Sequence, residues 1–276
     1  KCVLVRFQAS LGPNYLLYTT YCFGALSISI FTRRELIWFF SKPISEKIIL
    51  NPSLKTKGAI VLGFSVFGSV FLIINNHLSA HEDRFCKRVQ QIDRIERQVL
   101  AISEKYFCKS LSLTSKVNFL IWSGDFNSRS MENRTSVNEI LELSSFEKIC
   151  SQLLKRDELN NIMSEMKLLK YFSEGKIKFL PTYKFDRNSN EYDTSEKNRV
   201  PSYTDRILFC RNGKESILCM DYSSVENYQL SDHKPLYAVF VVELKPLEIK
   251  QTVVPSYGEF NIEVYAEGLK RRPTLK

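Results

Sequence analysis

Three short polar clusters, each joined to an apolar run, carry the residue types that phosphate hydrolysis needs: Trp122-Ser-Gly-Asp-Phe-Asn127, Pro201-Ser-Tyr-Thr-Asp-Arg206 and Ser231-Asp-His-Lys-Pro235. Carboxylate, amide, guanidinium and imidazole groups at strand ends can converge on one cleft, and metal-assisted attack on phosphorus requires that convergence. Asp125 and Asn127 lie two apart in a strand-end turn, so one oxygen can accept from a water while the amide orients it. The same spacing also makes a plain Asx turn. His233 offers a donor to a phosphate oxygen, with Asp205 or Asp232 as the carboxylate that fixes its other nitrogen. The chain has three histidines, at 77, 81 and 233. His77, in Asn75-Asn-His-Leu-Ser-Ala-His81, follows a buried strand and is the second candidate donor, ahead of His81. Mg²⁺ suits such a site, because it takes hard oxygen ligands and completes its shell with water and substrate phosphate.

Cations surround these groups in the sequence: Lys184 in Pro181-Thr-Tyr-Lys-Phe185, Lys197 and Arg199 in the next loop, then Arg206 and Lys234. A multiply phosphorylated substrate needs such a rim, since an unpaired phosphate is costly to desolvate. Any one lysine is more often a solvated surface charge. The net charge of +9 over 276 residues favours an anionic partner. Seven cysteines without a Cys-x-x-Cys pair fit neither a disulfide framework nor a zinc site, and point to a reducing, intracellular setting. The sequence starts at Lys1 with no secretory signal pattern and reads as a fragment. Its end carries no prenylation box.

The elements that must position the site are strands interrupted by helices. Tyr15 to Phe31 and Gly58 to Ile74 lack charge and approach the length of a membrane span. Their β-branched and aromatic content, divided at Gly24 and at Gly68-Ser69, favours strand pairs. Leu26 to Phe31 and Leu36 to Phe40 read as strands, and Ala59 to Phe67 with Val70 to Asn75 as a buried hairpin. From Glu82 to Tyr106 the apolar residues recur at helical spacing. Val117 to Trp122, Ile177 to Phe179, Ile207 to Arg211, Tyr237 to Leu244 and Phe260 to Tyr265 read as further strands. Ser136 to Lys148, Ile149 to Lys155 and Leu159 to Met166 read as helices. The expected architecture is α+β: two packed, mainly antiparallel sheets with outer helices.

In this order, Asn-His-Leu, Trp-Ser-Gly-Asp-Phe-Asn, Pro-Thr-Tyr-Lys-Phe, Tyr-Asp-Thr-Ser-Glu-Lys, Pro-Ser-Tyr-Thr-Asp-Arg-Ile-Leu and Ser-Asp-His-Lys-Pro, the chain resembles the inositol polyphosphate 5-phosphatases over roughly Leu11 to Lys245. Phe31-Thr-Arg-Arg-Glu-Leu-Ile-Trp38, Lys55-Thr-Lys-Gly58 and Gly268-Leu-Lys-Arg-Arg272 are similar to its type IV branch. Gly-Asp-x-Asn and Ser-Asp-His alone also fit the wider endonuclease/exonuclease/phosphatase superfamily. The resemblance implies a four-layer sandwich and a Mg²⁺-dependent hydrolase that removes the 5-phosphate of phosphoinositides. It implies that Asp125 activates water, Asn127 orients it or holds the phosphate, His77 and His233 contact the scissile phosphate and Asp205 supports His233. Asp232 then lies near the metal, Tyr183, Lys184 and Lys197 grip a neighbouring phosphate, and Arg206 completes the basic pocket. Catalysis is expected in residues 1–245 and an extension in 246–276. The implied partner is a phosphoinositide headgroup in a membrane surface, met by a peripheral, monomeric, cytoplasmic enzyme of the Golgi or cilium, without nucleic acid or a transmembrane segment.

Two departures stand out. Position 128 is Ser where the family usually has an aromatic residue. The family also opens with strands carrying a Trp-Asn pair and a Gln-Glu pair, whose Glu is the principal metal ligand, and neither pair occurs in this sequence. The expectation is therefore a domain lacking its first strands, weakly active or inactive by itself. A superfamily nuclease and a non-catalytic phosphoinositide-binding module are the rival readings.

Overall fold

The structure, a computed structural model, describes residues 2–51, 56–107, 117–165, 169–211 and 217–244. Helix α1 (Cys2–Leu11) leads into a hairpin, β1 (Tyr15–Phe23) and β2 (Leu26–Arg33), which turns at Gly24. After a 3-10 segment (Arg34–Phe39) come β3 (Ile44–Ile49), β4 (Gly58–Val66) and β5 (Ser69–His77). A 3-10 turn (Glu82–Arg84) opens α2 (Phe85–Tyr106), followed by β6 (Phe119–Asp125), α3 (Arg134–Leu141), α4 (Phe146–Leu154) and α5 (Glu158–Glu165). The two-residue β7 (Ser173–Glu174), β8 (Asp205–Arg211), β9 (Ile217–Ser224) and β10 (Leu236–Val242) complete the described elements.

The central sheet runs β3-β4-β5-β6-β8-β7. Its β5–β6 pair is parallel, which requires a crossover, and α2 provides it. Alternation along the strands divides the core. Val61, Leu72, Ile74, Leu120, Trp122 and Leu208 pack with Ile92, Ile95, Val99 and Ile102 of α2 and Leu159 and Ile162 of α5. The opposite faces of β4 and β5, including Ile60, Leu62, Phe64 and Ile73, pack on the β1–β2 hairpin. Phe119, Ile121 and Phe209 meet Ile217 and Phe240 of the β9–β10 pair. The fold is therefore α+β, a mixed sheet between helices and a second layer of antiparallel hairpins.

Both apolar stretches of near-span length are strand pairs, and among the described residues no helix is long and apolar enough to cross a membrane. The expected strand Leu36 to Phe40 is corrected to a 3-10 segment. Its apolar residues do not alternate: Ile37 is buried while Trp38 and Phe39 both face out. Ile177 to Phe179 makes no ladder either; Ile177 and Phe179 anchor a loop in the cluster built on α3 and α4. Residues 142–145 break the expected long helix, with Ser145 capping α4 through Lys148 N–H. The expected strand at Phe260 to Tyr265 lies outside the described residues.

Candidate active site

Register alone gathers the chemistry. The parallel β5–β6 pair sets His77 opposite Asp125, and the antiparallel β6–β8 pair sets Asp125 opposite Asp205. Gly58 stands opposite His77 on the other side. With strands about 4.8 Å apart, the row from His77 to Asp205 spans only about 10 Å of one sheet rim.

Backbone constraints hold this rim in place. Gly124 has φ +136°, and a Cβ there would sit 2.2 Å from Asn76 O, so the position admits only glycine. Buried Asn76 accepts from Trp122 Nε1 at 2.8 Å and donates to Asp125 O at 3.0 Å, joining β5 to β6. Leu78 N–H also donates to Asp125 O, and Phe126 N–H donates to Thr204 O at 2.8 Å, joining β6 to the approach of β8.

Asp125 Oδ1 accepts from Asn127 N–H at 2.8 Å, and Oδ2 accepts from Asn127 Nδ2 at 2.9 Å. His77 Nε2 lies 3.2 Å from the same Oδ2, and that same nitrogen is in contact with Lys57 Nζ. Burial works to raise the Asp125 carboxyl, yet the His77 bond, the His233 and His77 charges and the Asn127 N–H together hold it below the usual range. Asn127, with φ +51°, has its amide fully engaged: Nδ2 also donates to Leu78 O, and Oδ1 accepts from Arg129 Nη2 at 2.6 Å.

The second histidine is organised differently. His233 Nδ1 meets Asp205 Oδ2 at 2.8 Å, and the hydroxyls of Thr182 and Thr204 donate to that oxygen at 2.9 Å. Burial opposes the charged imidazole, but the Asp205 bond and charge, then Asp125 and Asp232, raise its pKa above the ordinary value. Its ring lies 4.6 Å from that of Tyr183, centroid to centroid. Lys184 Nζ is 3.6 Å from Asp193, which is itself pinned by Arg199 N–H, and Lys197 is exposed on the same loop.

Two expected rim cations are corrected. Arg206 is fully buried, its guanidinium donating to Asp157 at 2.5 Å, to both Glu174 oxygens and to Asn160 at 2.9 Å. With every direction taken, it braces α5 and β7 against β8 and offers nothing to a pocket. Lys234 is likewise buried, donating to Asn190 Oδ1 and Tyr228 O over the Phe185 ring. His81 is exposed, and its carbonyl accepts from Arg88. Sequence reasoning missed Lys57 and Arg129. Counting back from the two-residue turn at Phe67-Gly68 pairs Gly58 with His77, so the position of Lys57 was legible.

Among the described residues, no three His, Cys, Asp or Glu side chains converge to hold a metal ion. Asp125 is engaged by Asn127 and His77, and Asp205 by His233 and two threonines. Asp232, the expected metal neighbour, thus lacks companion ligands, and this set does not fit a divalent cation that wants six oxygens.

Residues 7–239 match the sequence pattern of Endonuclease/Exonuclease/phosphatase family 2. The chain is 35% identical to phosphatidylinositol polyphosphate 5-phosphatase type IV of Rattus norvegicus, over 97% of this chain and 42% of that protein, so it spans about two fifths of that relative. Among solved structures it superposes with TM-score 0.70 and 27% identity on the inositol polyphosphate 5-phosphatase domain of a synaptojanin in complex with inositol (1,4)-bisphosphate and calcium, over 88% of this chain and 68% of that one. Cimex nitrophorin, at TM-score 0.69 and 23% identity over 88% of this chain and 80% of its own, shares the fold. The family match over residues 7–239, with the similarity to the type IV relative and the shared fold, establishes that the chain belongs to Endonuclease/Exonuclease/phosphatase family 2.

Proposed function

We propose that residues 1–245 form the catalytic portion of a phosphoinositide 5-phosphatase, a phosphoric monoester hydrolase acting on a headgroup at a membrane surface. The observation that carries this reading is the cross-strand row of His77, Asp125 and Asp205, with His233 bonded to its end. The names of the type IV relative and of the synaptojanin domain support the substrate class. Mg²⁺ is the cation we propose for this chemistry. Because the described residues do not assemble its ligands, the steps below run through protein groups alone.

A phosphate monoester at the rim meets Lys57, His77 and His233 as donors. His233, kept cationic by Asp205, donates to a non-bridging oxygen and offsets charge building there. Asp125, kept anionic, accepts from the attacking water and aligns it with phosphorus. The new P–O bond forms as the bond to the ring oxygen breaks; Asp125 takes the proton of the attacking water and solvent supplies one to the departing ring oxygen, so that inorganic phosphate and an inositol hydroxyl are released. Asn127 fixes Asp125 through both its N–H groups. Tyr183, Lys184 and Lys197 receive a second phosphate of the headgroup, which a substrate bearing one phosphate lacks.

The test is phosphate release from dioctanoyl phosphatidylinositol 4,5-bisphosphate with Mg²⁺, run beside supercoiled DNA. The reading expects slow formation of the 4-monophosphate, abolished in D125N, with the DNA intact. Nicked DNA without phosphate release replaces it with the nuclease reading, and headgroup binding without turnover with that of a non-catalytic module.

A further inference from the structure

The short strand β7 is an edge of the central sheet, paired to β8 through Ser173↔Phe209 and Glu174↔Leu208. The strand pattern continues past the pairing. Beyond Gly175, Lys176 is exposed, Ile177 buried, Lys178 exposed and Phe179 buried, the alternation that makes Ile177 to Phe179 read as a strand. The inward side chains are satisfied, since Ile177 and Phe179 belong to the cluster of Val137, Ile149 and Tyr222. The main chain is not. Residues 176–178 enter no ladder, and none of their N–H or C=O groups meets a partner among the described residues.

This unpaired run is one wall of a cavity of about 910 Å³, whose other walls include faces of α4 and α5. That volume lies in the range of ligand sites. Leu154, Ile177, Phe146 and Met131 give it apolar surface, and the last two are 44% and 52% exposed. Charge on the lining is one-sided. Lys155, Lys176 and Lys178 are all exposed, whereas the described lysines that form ion pairs are Lys105 and Lys184. Of the two lining carboxylates, Glu174 is taken by Arg206 and the Tyr222 hydroxyl, which leaves Glu147.

An unpaired sheet edge is a template for another strand, and the side chains along it select which strand comes. Lysines here repel a second copy of this chain, whose net charge is +9, and attract carboxylates. We infer that the β7 edge is a docking slot for an extended acidic peptide of a partner protein, which adds as a strand beside residues 176–178. Its acidic side chains stand on the face of Lys176 and Lys178, and its alternate apolar side chains stand on the face of Ile177, toward α4. Main-chain bonds hold such a peptide, while the alternation of charge and apolar surface chooses it. The slot does not depend on the phosphatase reading.

The experiment follows fluorescence anisotropy of a fluorescein-labelled peptide, Glu-Val-Glu-Phe-Glu-Val-Glu, titrated with the 276-residue chain. Two further peptides accompany it: one with every Glu replaced by Lys, and one N-methylated at each interior residue, which keeps the charge and removes the ladder donors. The expected result is saturable binding of the acidic peptide, none of the lysine peptide, and at least a tenfold loss of affinity both on N-methylation and in K176E/K178E. The K47E variant, on the opposite edge strand β3, is expected to bind as the native chain does. Undiminished affinity in K176E/K178E overturns the inference, as does an equal loss in K47E or failure of the native chain to bind. Equal affinity for the N-methylated peptide means adhesion of charges without strand pairing and also overturns it. Binding of phosphatidylcholine–phosphatidylserine vesicles that K176E/K178E abolishes, without binding of the peptide, replaces the peptide by a membrane surface. If thermal melting shows K176E/K178E unfolded, K176Q/K178Q decides, and unaltered affinity there overturns the inference.

Discussion

Replacing Arg206 by methionine separates a brace from a binding residue. The guanidinium makes four charge-assisted contacts, at 2.8 Å and 2.5 Å to Glu174, 2.5 Å to Asp157 and 2.9 Å to Asn160, with no side-chain exposure. Removing it leaves Asp157 and Glu174 in low dielectric without their cation, and breaking a buried pair in this way costs about 3–5 kcal/mol. That is a large share of the roughly 5–15 kcal/mol that holds a typical domain together. With a urea slope near the upper end for small proteins, about 3 kcal/mol/M, the midpoint should fall by about 1–1.7 M. Urea unfolding followed by tryptophan fluorescence reads this directly, because Trp122 sits in the core beside β8. R206K should recover part of the loss, since it keeps the charge without the fork. A midpoint shift below about 0.3 M, together with lost phosphate binding, would refute the reasoning and return Arg206 to the pocket.

Other perturbations test the rim. In D205N, burial of His233 acts without its main counterweight, so the imidazole pKa should drop from above the ordinary value of about 6.5 to below it, as ¹H–¹⁵N imidazole spectra would record. The native pH profile follows from the two signs. The raised His233 contributes stability fully below about pH 6.5 and loses it as pH rises through its folded value; the lowered Asp125 contributes above about pH 3.9 and loses it as pH falls through its own. Thermal melting across pH should therefore peak between those limits. Gly124→Ala forces a Cβ to 2.2 Å from Asn76 O at φ +136°, and strain with overpacking should cost more than about 3 kcal/mol in chemical unfolding. K184A should weaken binding of inositol 1,4-bisphosphate roughly 10- to 150-fold while leaving affinity for inorganic phosphate unchanged, in line with about 1.5–3 kcal/mol for a charged hydrogen bond.

Periodicity and turns made much of this fold legible. The Phe67-Gly68 turn fixed the β4–β5 pairing, and the three- and four-residue spacing from Phe85 to Ile102 marked α2. The clusters at 125, 205 and 233 read as strand-end groups because each abuts an apolar run, and β6 ends at Asp125 while β8 begins at Asp205. Burial of charge was not legible. Arg206 and Arg129 each follow a polar residue in a motif, yet Arg206 finds Asp157 and Glu174, far away in sequence, while Arg129 finds none among the described residues. Edge strand β3 was missed because Glu46 and Lys47 interrupt its apolar pattern, as an exposed sheet edge favours. Trp38 and Phe39 misled in the other direction, since both are apolar and both face out.

The division of labour among charges explains how the fold serves the site. Arg88 joins α2 to α5 through Glu158 and holds the carbonyls of Ser79 and His81, just beyond His77. Asp157 accepts from Ser128 beside Asn127 as well as from Arg206 beside Asp205. Ser128 also accepts from Leu159 N–H, so the residue that departs from the family's aromatic pins the Asn127 turn to α5. Paired charges make the frame rigid, and the polar groups at the rim are left to meet substrate.

The three histidines allow the central claim to be tested without turnover. Imidazole ¹H–¹⁵N spectra of the chain, assigned through H77N, H81N and H233N, would be followed during titration with inositol 1,4,5-trisphosphate. If β5, β6 and β8 build one phosphate site, the His77 and His233 signals should shift together with a single dissociation constant, and His81 should stay still. Independent movement of His77 and His233, or shifts equal in size at His81, would contradict a shared site.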